Sequence, residues 1–421
     1  MNTTARSTVF STANPHALAT ILEAAETKQI IASTDIFDIS GIKLWARDRP
    51  VSAELQRKLL DRQLRDPLET SLMAEDGVTT ASLGEAALAL LAQQTPLVRL
   101  LKPHATKVLR EVPQLNLHSV AQLLLTATQA SRPQAFEHAV AAMLLCGALM
   151  DAHGGNPAEL RAAMLCGLLH DLGEMYIDPK FGEADAEQSL DFESYQQLVV
   201  HPHVGQLLVA QLTNYPKSVA QAIAEHHERL DGSGYPRGAK REDVSTLGKM
   251  LAVAEATLAV LRDPEAQLAR LSIALRVVPG EFDLGWVGEI ARLAQQETTV
   301  SAHRDKAELA DRLTRLDAAL TEAHDSIEVL ATSAESESLL GALKLSDGLL
   351  DRLRTGWYAS GLWSVEAIAS EDAAEVEAIE DELIHRLCAI ERAAWLKAGT
   401  LSEGDTHRLN LLGQSLQSVG R

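Results

Sequence analysis

Residues 159–175 read ELRAAMLCGLLHDLGEM, an apolar run that ends in the adjacent pair His170-Asp171. Apolar residues recur through the run at the spacing of a buried or half-buried helix. A buried imidazole beside a buried carboxylate is costly unless something compensates for it, and a divalent metal ion is one such compensation. The stretch therefore predicts a core helix that ends in a candidate metal-binding pair.

Segments on both sides of this run repeat its character. AVAAMLLCGALM, VGQLLVAQLTN, SVAQAIAEHHERL and TLGKMLAVAEATLAVL are apolar at helical spacing, and short polar breaks separate them. Hydrophobic residues make up 46% of the chain and aromatic residues only 4%. Such a core consists of Leu, Ala, Val and Ile, which is typical of packed helices. We therefore predict a mainly all-α fold with a helical bundle over residues 101–300.

The two flanking regions have different patterns. Residues 1–100 contain β-prone runs at 30–32, 35–38 and 41–46 between helical segments, which predicts a small N-terminal α/β region with a strand pair. Residues 301–421 carry leucines at alternating four- and three-residue steps, the a/d seam of a coiled coil. This helical C-terminal extension either packs within its own chain, which we favour, or forms a homodimer. The seam residues are Leu309, Leu313, Leu316, Leu320, Ile327 and Leu330, followed by Ile379, Leu383, Leu387 and Ile390.

Charge and cysteine content exclude several classes of protein. The formal net charge is −20, so general nucleic-acid binding is not expected, because phosphates repel an acidic surface. The three cysteines are far apart and give no disulfide framework, which suits a reducing compartment. We find neither a signal-peptide pattern nor an apolar run approaching about 18 residues. We therefore expect a cytoplasmic protein that does not enter a membrane.

Histidines mark the candidate site. Of the 14 histidines, six lie at the ends of apolar helices between residues 138 and 227. A single histidine on an apolar face is usually a core residue, but a His-Asp pair and a His-His pair within one bundle together favour a metal site. Imidazole and carboxylate ligands suit iron, manganese or zinc, and a bridging carboxylate favours iron or manganese. The six are His138, His170, His201, His203, His226 and His227.

Two stretches resemble signatures of a known family. LLHDLGE (168–174) resembles the metal-binding doublet of the HD metal-dependent phosphohydrolase superfamily, and HHERLDGSGYP (226–236) resembles the second signature of its HD-GYP branch. FEHAV, HPHVG and LAVAE match further elements of that pattern in the right order. The resemblance covers roughly residues 130–260 and identifies the chain as a divergent member.

The resemblance implies a function and a ligand set. Members of this branch hydrolyse cyclic di-GMP with two or three divalent metal ions, most often iron or manganese, and a bridging metal-bound hydroxide. Asp171 would bridge two metals; together with His170 it forms the predicted catalytic pair. The other implied ligands are His138 and Glu255 beside His170 on one metal, His201 and His226 on the second, and His227 as a further ligand or a supporting residue. The implied substrate or loop residues are Gly232, Gly234, Tyr235 and Arg262, and the Gly-Tyr-Pro loop is also a candidate surface for a protein partner.

The sequence departs from the family pattern at several positions. Glu174 stands where the family has a lysine near the substrate phosphate, and Glu255 stands where aspartate is usual. Leu258 replaces an acid, and Arg262 alone remains of a basic stretch. Three interpretations therefore stay open. They are an active cyclic di-GMP phosphodiesterase, which we favour, a catalytically weak relative that acts as a metal-binding signalling or interaction module, and a phosphohydrolase of another nucleotide.

Overall fold

A computed structural model describes residues 10–179, 196–262, 268–294, 305–334, 336–360, 373–398 and 401–417. Within them the fold is mainly α-helical with a few short strands and no closed sheet, which confirms the predicted fold class. The strands are β1 (Ile30–Ala32), β2 (Ile36–Phe37), β3 (Lys43–Trp45) and β4 (Leu72–Ala74). The helices are α1 (Pro15–Ala24), α2 (Ala53–Leu59), α3 (Thr80–Leu91), α4 (Pro96–Leu101), α5 (Ala105–Glu111), α6 (Ser119–Ser131), α7 (Pro133–Ala152), α8 (Pro157–Leu169), α9 (His201–Leu212), α10 (Lys217–Glu225), α11 (Thr246–Val260), α12 (Leu268–Ala274), α13 (Leu284–Ala294), α14 (Lys306–Ser333), α15 (Glu337–Ser360), α16 (Ala373–Ala398) and α17 (Glu403–Gln417).

The chain forms two units, each with its own packing. The first unit comprises Met1–Gln94, Leu101–His226 and Ser245–Ala254. The second comprises Thr95–Leu100, His227–Val244 and Glu255–Arg421. The boundaries of three regions that the sequence predicts, near residues 100 and 300, stay a prediction.

The N-terminal strands form two antiparallel pairs. β2 and β3 pair with each other, with Ile36 opposite Trp45. β1 instead pairs antiparallel with β4, so that Ile31 lies opposite Met73. The sequence analysis did not identify β4 as a strand, because Leu72-Met73-Ala74 contains none of the β-branched or aromatic residues that marked the other strands.

Helices α7 and α8 form the centre of the first unit. Asn156 caps α8 by accepting from the backbone N–H groups of Ala158 and Glu159, and the Glu159 carboxylate accepts in return from the Asn156 N–H. Gly167 brings α8 against the backbone of α7, where a Cβ atom would overlap the Ala142 carbonyl. This close approach places the end of α8, and so His170, beside α7.

Helix α7 has a property that the sequence analysis did not foresee. By length and composition it is apolar enough to cross a membrane, with a mean hydropathy of 1.4 over its most apolar window. However, 72% of that window is buried inside the protein, as in a core helix.

The C-terminal seam packs within its own chain, in the second unit. Leu313 and Leu320 of α14, Leu350 of α15 and Leu387 of α16 share one buried cluster. The gap in the heptad pattern is filled by Ala323, which is also buried. This supports the favoured alternative for these helices, while the homodimer stays a prediction.

Candidate metal centre

Four helices of the first unit supply the candidate ligands that lie together. His138 lies in the second turn of α7, and His170 follows the last residue of α8. His201 is the first residue of α9, and His226 follows the last residue of α10. Asp171 comes directly after His170. Helix ends thus bring five side chains from separate parts of the sequence to one place.

The ring orientation of three histidines is fixed by backbone carbonyl groups. The Nδ1 atoms of His170, His201 and His226 lie 2.7, 2.8 and 2.6 Å from the carbonyl oxygens of the residues three positions earlier. A carbonyl oxygen only accepts hydrogen bonds, so each Nδ1 must carry the proton. The Nε2 atom of each neutral ring is then a bare lone pair, the form that binds a metal ion.

These Nε2 atoms face one another. His138 Nε2 lies 3.2 Å from His170 Nε2, and His201 Nε2 lies 3.1 Å from His226 Nε2. His170, His201 and His226 have no exposed surface. Two buried lone pairs at such a distance repel unless a cation or an added proton lies between them. The donor set therefore fits divalent metal ions.

Asp171 lies between the two histidine pairs. Its Oδ2 atom is 2.8 Å from His170 Nε2 and 3.5 Å from His138 Nε2. Its Oδ1 atom is 3.4 Å from His226 Nε2 and 3.5 Å from His201 Nε2. Each carboxylate oxygen thus faces one pair of imidazoles, and the ligand atoms in each of the two sets lie within 4.8 Å of one another. A carboxylate in this position is suited to bridge two metal ions.

The charge state of Asp171 is set by its surroundings. Burial is the largest single effect and raises its pKa, but the neighbouring histidines, His170 foremost, hold the pKa well below its ordinary value when their Nε2 atoms carry a proton, which is the position that a metal cation would take. The residue is therefore a carboxylate, as a metal ligand must be.

A close backbone contact holds the two halves of the centre in register. Gly173, two residues after Asp171, lies against the carbonyl of His201, which a Cβ atom at position 173 would overlap. The same Cβ atom would also lie 2.8 Å from the backbone nitrogen of Gly205 on α9. Only glycine fits here, which gives a structural reason for the glycine in the His-Asp-x-Gly pattern.

The predicted loop residues lie in the second unit. The ring of His227 stacks on that of Tyr235 with centroids 4.5 Å apart, and the Tyr235 N–H donates to the His227 carbonyl. Gly232 has φ = +88°, which favours glycine. A Cβ atom at Gly234 would overlap the backbone of His227 and Arg229. Both glycines are thus required by the shape of the loop.

The remaining predicted residues belong to α11 and the residues after it. Glu255 is buried on α11 in the second unit, and its role as a ligand stays a prediction. Leu258 is buried on the same helix, whereas Arg262 is exposed two residues beyond its end.

Cys166, one helical turn before His170, and Glu174, three residues after Asp171, have surroundings that explain their charge states. Burial raises the pKa of the Cys166 thiol to about 12, so it is a protonated core residue. Glu174 is buried near Arg132, whose Nη1 donates to the Glu174 carbonyl at 3.3 Å. Burial lowers the pKa of Arg132, and nearby carboxylates, Glu174 first among them, act in the opposite direction. The negative charge of Glu174 is therefore opposed by a nearby cation.

Sequence reasoning missed the carboxylates that hold the backbone around the His-His pair. Glu228 accepts from the N–H groups of Arg237 and Ala239 at 2.9 and 2.7 Å, within the second unit. Glu225 accepts from the N–H and hydroxyl of Ser245 at 2.9 and 2.6 Å, within the first. Both glutamates flank the histidines in the stretch EHHE, which was the one signal available.

Comparison with known proteins agrees with this geometry. Residues 123–277 match a family model described as HD domain. A cyclic di-GMP phosphodiesterase of Pseudomonas aeruginosa is 32% identical over 97 residues, which cover 23% of each chain. A 3'3'-cGAMP-specific phosphodiesterase of Vibrio cholerae is 27% identical over 140 residues, or 27% of this chain and 30% of the relative. A cyclic di-GMP phosphodiesterase of Borreliella burgdorferi is 29% identical over 96 residues, or 23% of this chain and 24% of the relative.

The extent of these matches limits what they establish. The chain spans less than a third of the length of each of these relatives. The matched part contains every residue of the histidine and aspartate cluster. The central part of the chain is thus similar to HD domains, and its cluster could hold a metal ion.

Proposed function

We propose that the chain is a metal-dependent phosphohydrolase that hydrolyses a cyclic dinucleotide, with cyclic di-GMP as its substrate. The observation that carries the proposal is the position of Asp171, whose two oxygens each face one pair of imidazole Nε2 atoms. The similarity to phosphodiesterases of cyclic di-GMP and 3'3'-cGAMP supports the substrate class.

The residues of the cluster would have distinct roles. Asp171 would bridge two metal ions, His138 and His170 would bind one of them, and His201 and His226 would bind the other. Bound divalent ions, iron or manganese by their preference for this mixed donor set, would lower the pKa of a coordinated water and neutralise phosphate charge. Hydrolysis adds one water across a P–O bond and opens the ring to a linear dinucleotide.

The protein contributes orientation to this chemistry. The carbonyl groups that accept from the Nδ1–H groups of His170, His201 and His226 fix the tautomer of these three rings, so their Nε2 lone pairs are directed into the cluster before a metal arrives. The Gly173 contact holds His201 against the segment that carries Asp171. We also propose Glu255 and His227 as further ligands, and Gly232, Gly234, Tyr235 and Arg262 as residues that contact the substrate or a protein partner.

A second candidate function is favoured by one observation. Glu174 is buried beside Arg132 at the position where the family places a phosphate-binding lysine. If no other cation replaces that lysine, the protein would bind metal but turn over substrate weakly. It would then act as a signalling or interaction module.

The test is hydrolysis by the full-length chain. Protein loaded with Mn²⁺ or Fe²⁺ is incubated with cyclic di-GMP and, separately, with 3'3'-cGAMP, and the products are separated by chromatography. We expect a linear dinucleotide from cyclic di-GMP, and no product after treatment with a chelator. Bound metal without turnover of either substrate would support the second candidate. Turnover that survives complete metal removal would contradict both.

A further inference from the structure

The second unit contains a cleft between the Gly-Tyr-Pro loop, which comprises residues 231–240, and helices α15 and α16. Its volume is about 450 Å³, within the range of pockets that bind small molecules. The cationic cleft, as we call it, is defined by five basic side chains that line it. They are Arg237 and Lys240 from the loop, Lys344 and Arg352 from α15, and Lys397 from α16.

The charge of this cleft is opposite to that of the protein as a whole. The chain carries 58 acidic and 38 basic residues, yet among the described residues that line the cleft Asp231 is the one acid. Asp231 is buried and engaged, because its Oδ1 accepts from the Ser233 N–H and hydroxyl, and Arg352 Nη1 lies 3.3 Å from its Oδ2. The positive charge of the cleft is therefore only partly neutralised.

Three lysines of the cleft make no ion pair with any residue that the structure describes. Lys240, Lys344 and Lys397 are exposed, and no described carboxylate lies within 4.0 Å of their amino groups. Grouping like charges costs free energy, and an acidic chain has many carboxylates that could have relieved it. An ammonium group is a compact donor that suits phosphate oxygens.

Glycines keep the cleft open. Gly341 and Gly348 lie two helical turns apart on α15, and a Cβ atom at either would have no neighbour within 4 Å. Gly232 allows the Lys240 side chain to pass over the loop, where a Cβ atom would lie 2.6 Å from Lys240 Cε. Gly341 and Gly348 thus leave open space beside α15, next to the basic side chains and to Leu345 and Leu349, which also line the cleft.

We propose that the cationic cleft binds a small molecule that carries two or more phosphate groups and has the size of a nucleotide. The ligand would be held by Lys240 of the loop together with Lys344 and Lys397 of the C-terminal helices. The cleft shares Gly232, Gly234 and Tyr235 with the loop proposed to contact substrate or a protein partner, but it includes none of the proposed metal ligands. Its ligand would join the Gly-Tyr-Pro loop to α15 and α16 and so couple loop position to nucleotide concentration.

The test is calorimetric titration of the full-length chain with inorganic pyrophosphate and with ATP. The titrations are made in a chelator and in the Asp171→Asn background, so that metal-bound phosphate cannot contribute. We expect both ligands to bind, and binding to weaken as ionic strength rises. Lys344→Ala and Lys397→Ala should each weaken binding about fivefold or more, and the double variant should abolish it. The matched control is Lys102→Ala, which removes an exposed lysine of the first unit and should change affinity less than about twofold.

A second variant separates charge from space. Gly348→Leu keeps every cation but fills the opening above α15, and it replaces glycine by a better helix former. ATP should then bind at least about tenfold more weakly, while pyrophosphate, which is smaller, should bind as before. Thermal unfolding of each variant checks that the fold is retained.

Three results would overturn the proposal. Pyrophosphate and ATP that do not bind at low ionic strength would do so, as would binding that the lysine substitutions leave unchanged. The third is a hexaglutamate peptide that protects Lys344 and Lys397 from acetylation while ATP does not, because the cleft would then recognise acidic protein segments. Protection of both lysines by ATP, with Lys102 still reactive, would support the proposal.

Discussion

The candidate metal centre of the first unit and the cationic cleft of the second differ in how far their polar groups are exposed to solvent. In the metal centre three imidazoles have no exposed surface, and their lone pairs converge on one carboxylate. In the cleft Lys344 and Lys397 are exposed on two helices, and glycines keep the space between them open. Buried lone pairs that face one another need a cation or a proton between them, whereas exposed ammonium groups can exchange an anion with solvent at little cost. The comparison indicates that burial decides whether a cluster retains its bound ion or exchanges it with solvent.

The largest effect is expected from the two histidines of α9. His201 is buried and faces His226, whereas His203 on the same helix is exposed. Because a ligand matters at least as much as the groups that orient it, His201→Ala should lower metal affinity and the proposed phosphodiesterase activity by about 100-fold or more. His203→Ala should change both by less than about twofold. The measurements are equilibrium dialysis of Mn²⁺ and initial rates of hydrolysis, and equal losses in the two variants would show that the effect belongs to the helix rather than to the site.

Removal of the metal ions should lower the free energy of unfolding by an amount comparable to a 100-fold change in affinity. A metal ion at 100 times its dissociation constant stabilises the native state by about 2.7 kcal/mol, since it binds the assembled ligands and not the unfolded chain. We expect the free energy of unfolding in urea to fall by this order in a chelator and to recover when Mn²⁺ is added.

The cleft provides the control for that experiment. The Lys344→Ala, Lys397→Ala double variant should show the same metal-dependent change in the free energy of unfolding as the wild type, because its lysines are not ligands. A variant that no longer responds to metal would break the distinction between the two sites.

A smaller effect is expected at Gly173. An added Cβ atom would overlap the carbonyl of His201, so Gly173→Ala should lower the free energy of unfolding by about 1–3 kcal/mol and weaken metal binding with it. Gly84→Ala is the matched control, because a Cβ atom added at Gly84 on helix α3 would have no neighbour within 4 Å. It should stabilise the protein by about 0.5–1 kcal/mol. Chemical denaturation of both variants tests this, and a tolerated Gly173→Ala would contradict the close contact.

The smallest effect is expected at Glu69, a buried glutamate that contacts the turn following Asp171. Tyr176 ends the turn that follows Asp171, and its hydroxyl donates to Glu69 at 2.6 Å. Burial is the dominant effect on Glu69 and raises its pKa, although the hydrogen bond from Tyr176 lowers it in part. A raised pKa means that this group favours folding below its ordinary pKa and that the contribution is lost as pH rises through the folded value.

Glu69→Gln removes that pH dependence while keeping an acceptor for the Tyr176 hydroxyl. We expect the variant to be slightly more stable than the wild type at pH 7.5, and the difference to shrink towards pH 4.5. Urea midpoints at the two pH values measure it. A variant that is less stable than the wild type at pH 7.5 would contradict the direction of the pKa shift.

The two sites also differ in how far the sequence could predict them. His170-Asp171 and His226-His227 are adjacent pairs at the ends of apolar helices, so short motifs predicted a cluster of residues that could hold a metal ion. Lys344 and Lys397 lie far along the chain from Lys240 and share no motif with it, because only the packing of α15 and α16 brings them to the loop.

The same contrast holds for the fold. Helical periodicity predicted the bundle and the buried seam of α14, since these patterns are local. The partner of β1 could not be predicted, because Leu72–Ala74 contains no β-branched or aromatic residue and its pairing depends on contacts distant in sequence. Arg132, the cation near Glu174, was missed for a related reason, since helices α7 and α8 separate the two residues in the sequence.

The central claim is that Asp171 and the four imidazoles around it bind a pair of divalent metal ions. Elemental analysis of the full-length chain, purified without chelator and loaded with Mn²⁺, tests it most directly, with Asp171→Asn prepared in parallel. The account predicts about two metal ions per wild-type chain and a loss of most of that metal in the variant. A folded wild-type protein that binds no metal, or an Asp171→Asn variant that retains the full complement, would contradict it.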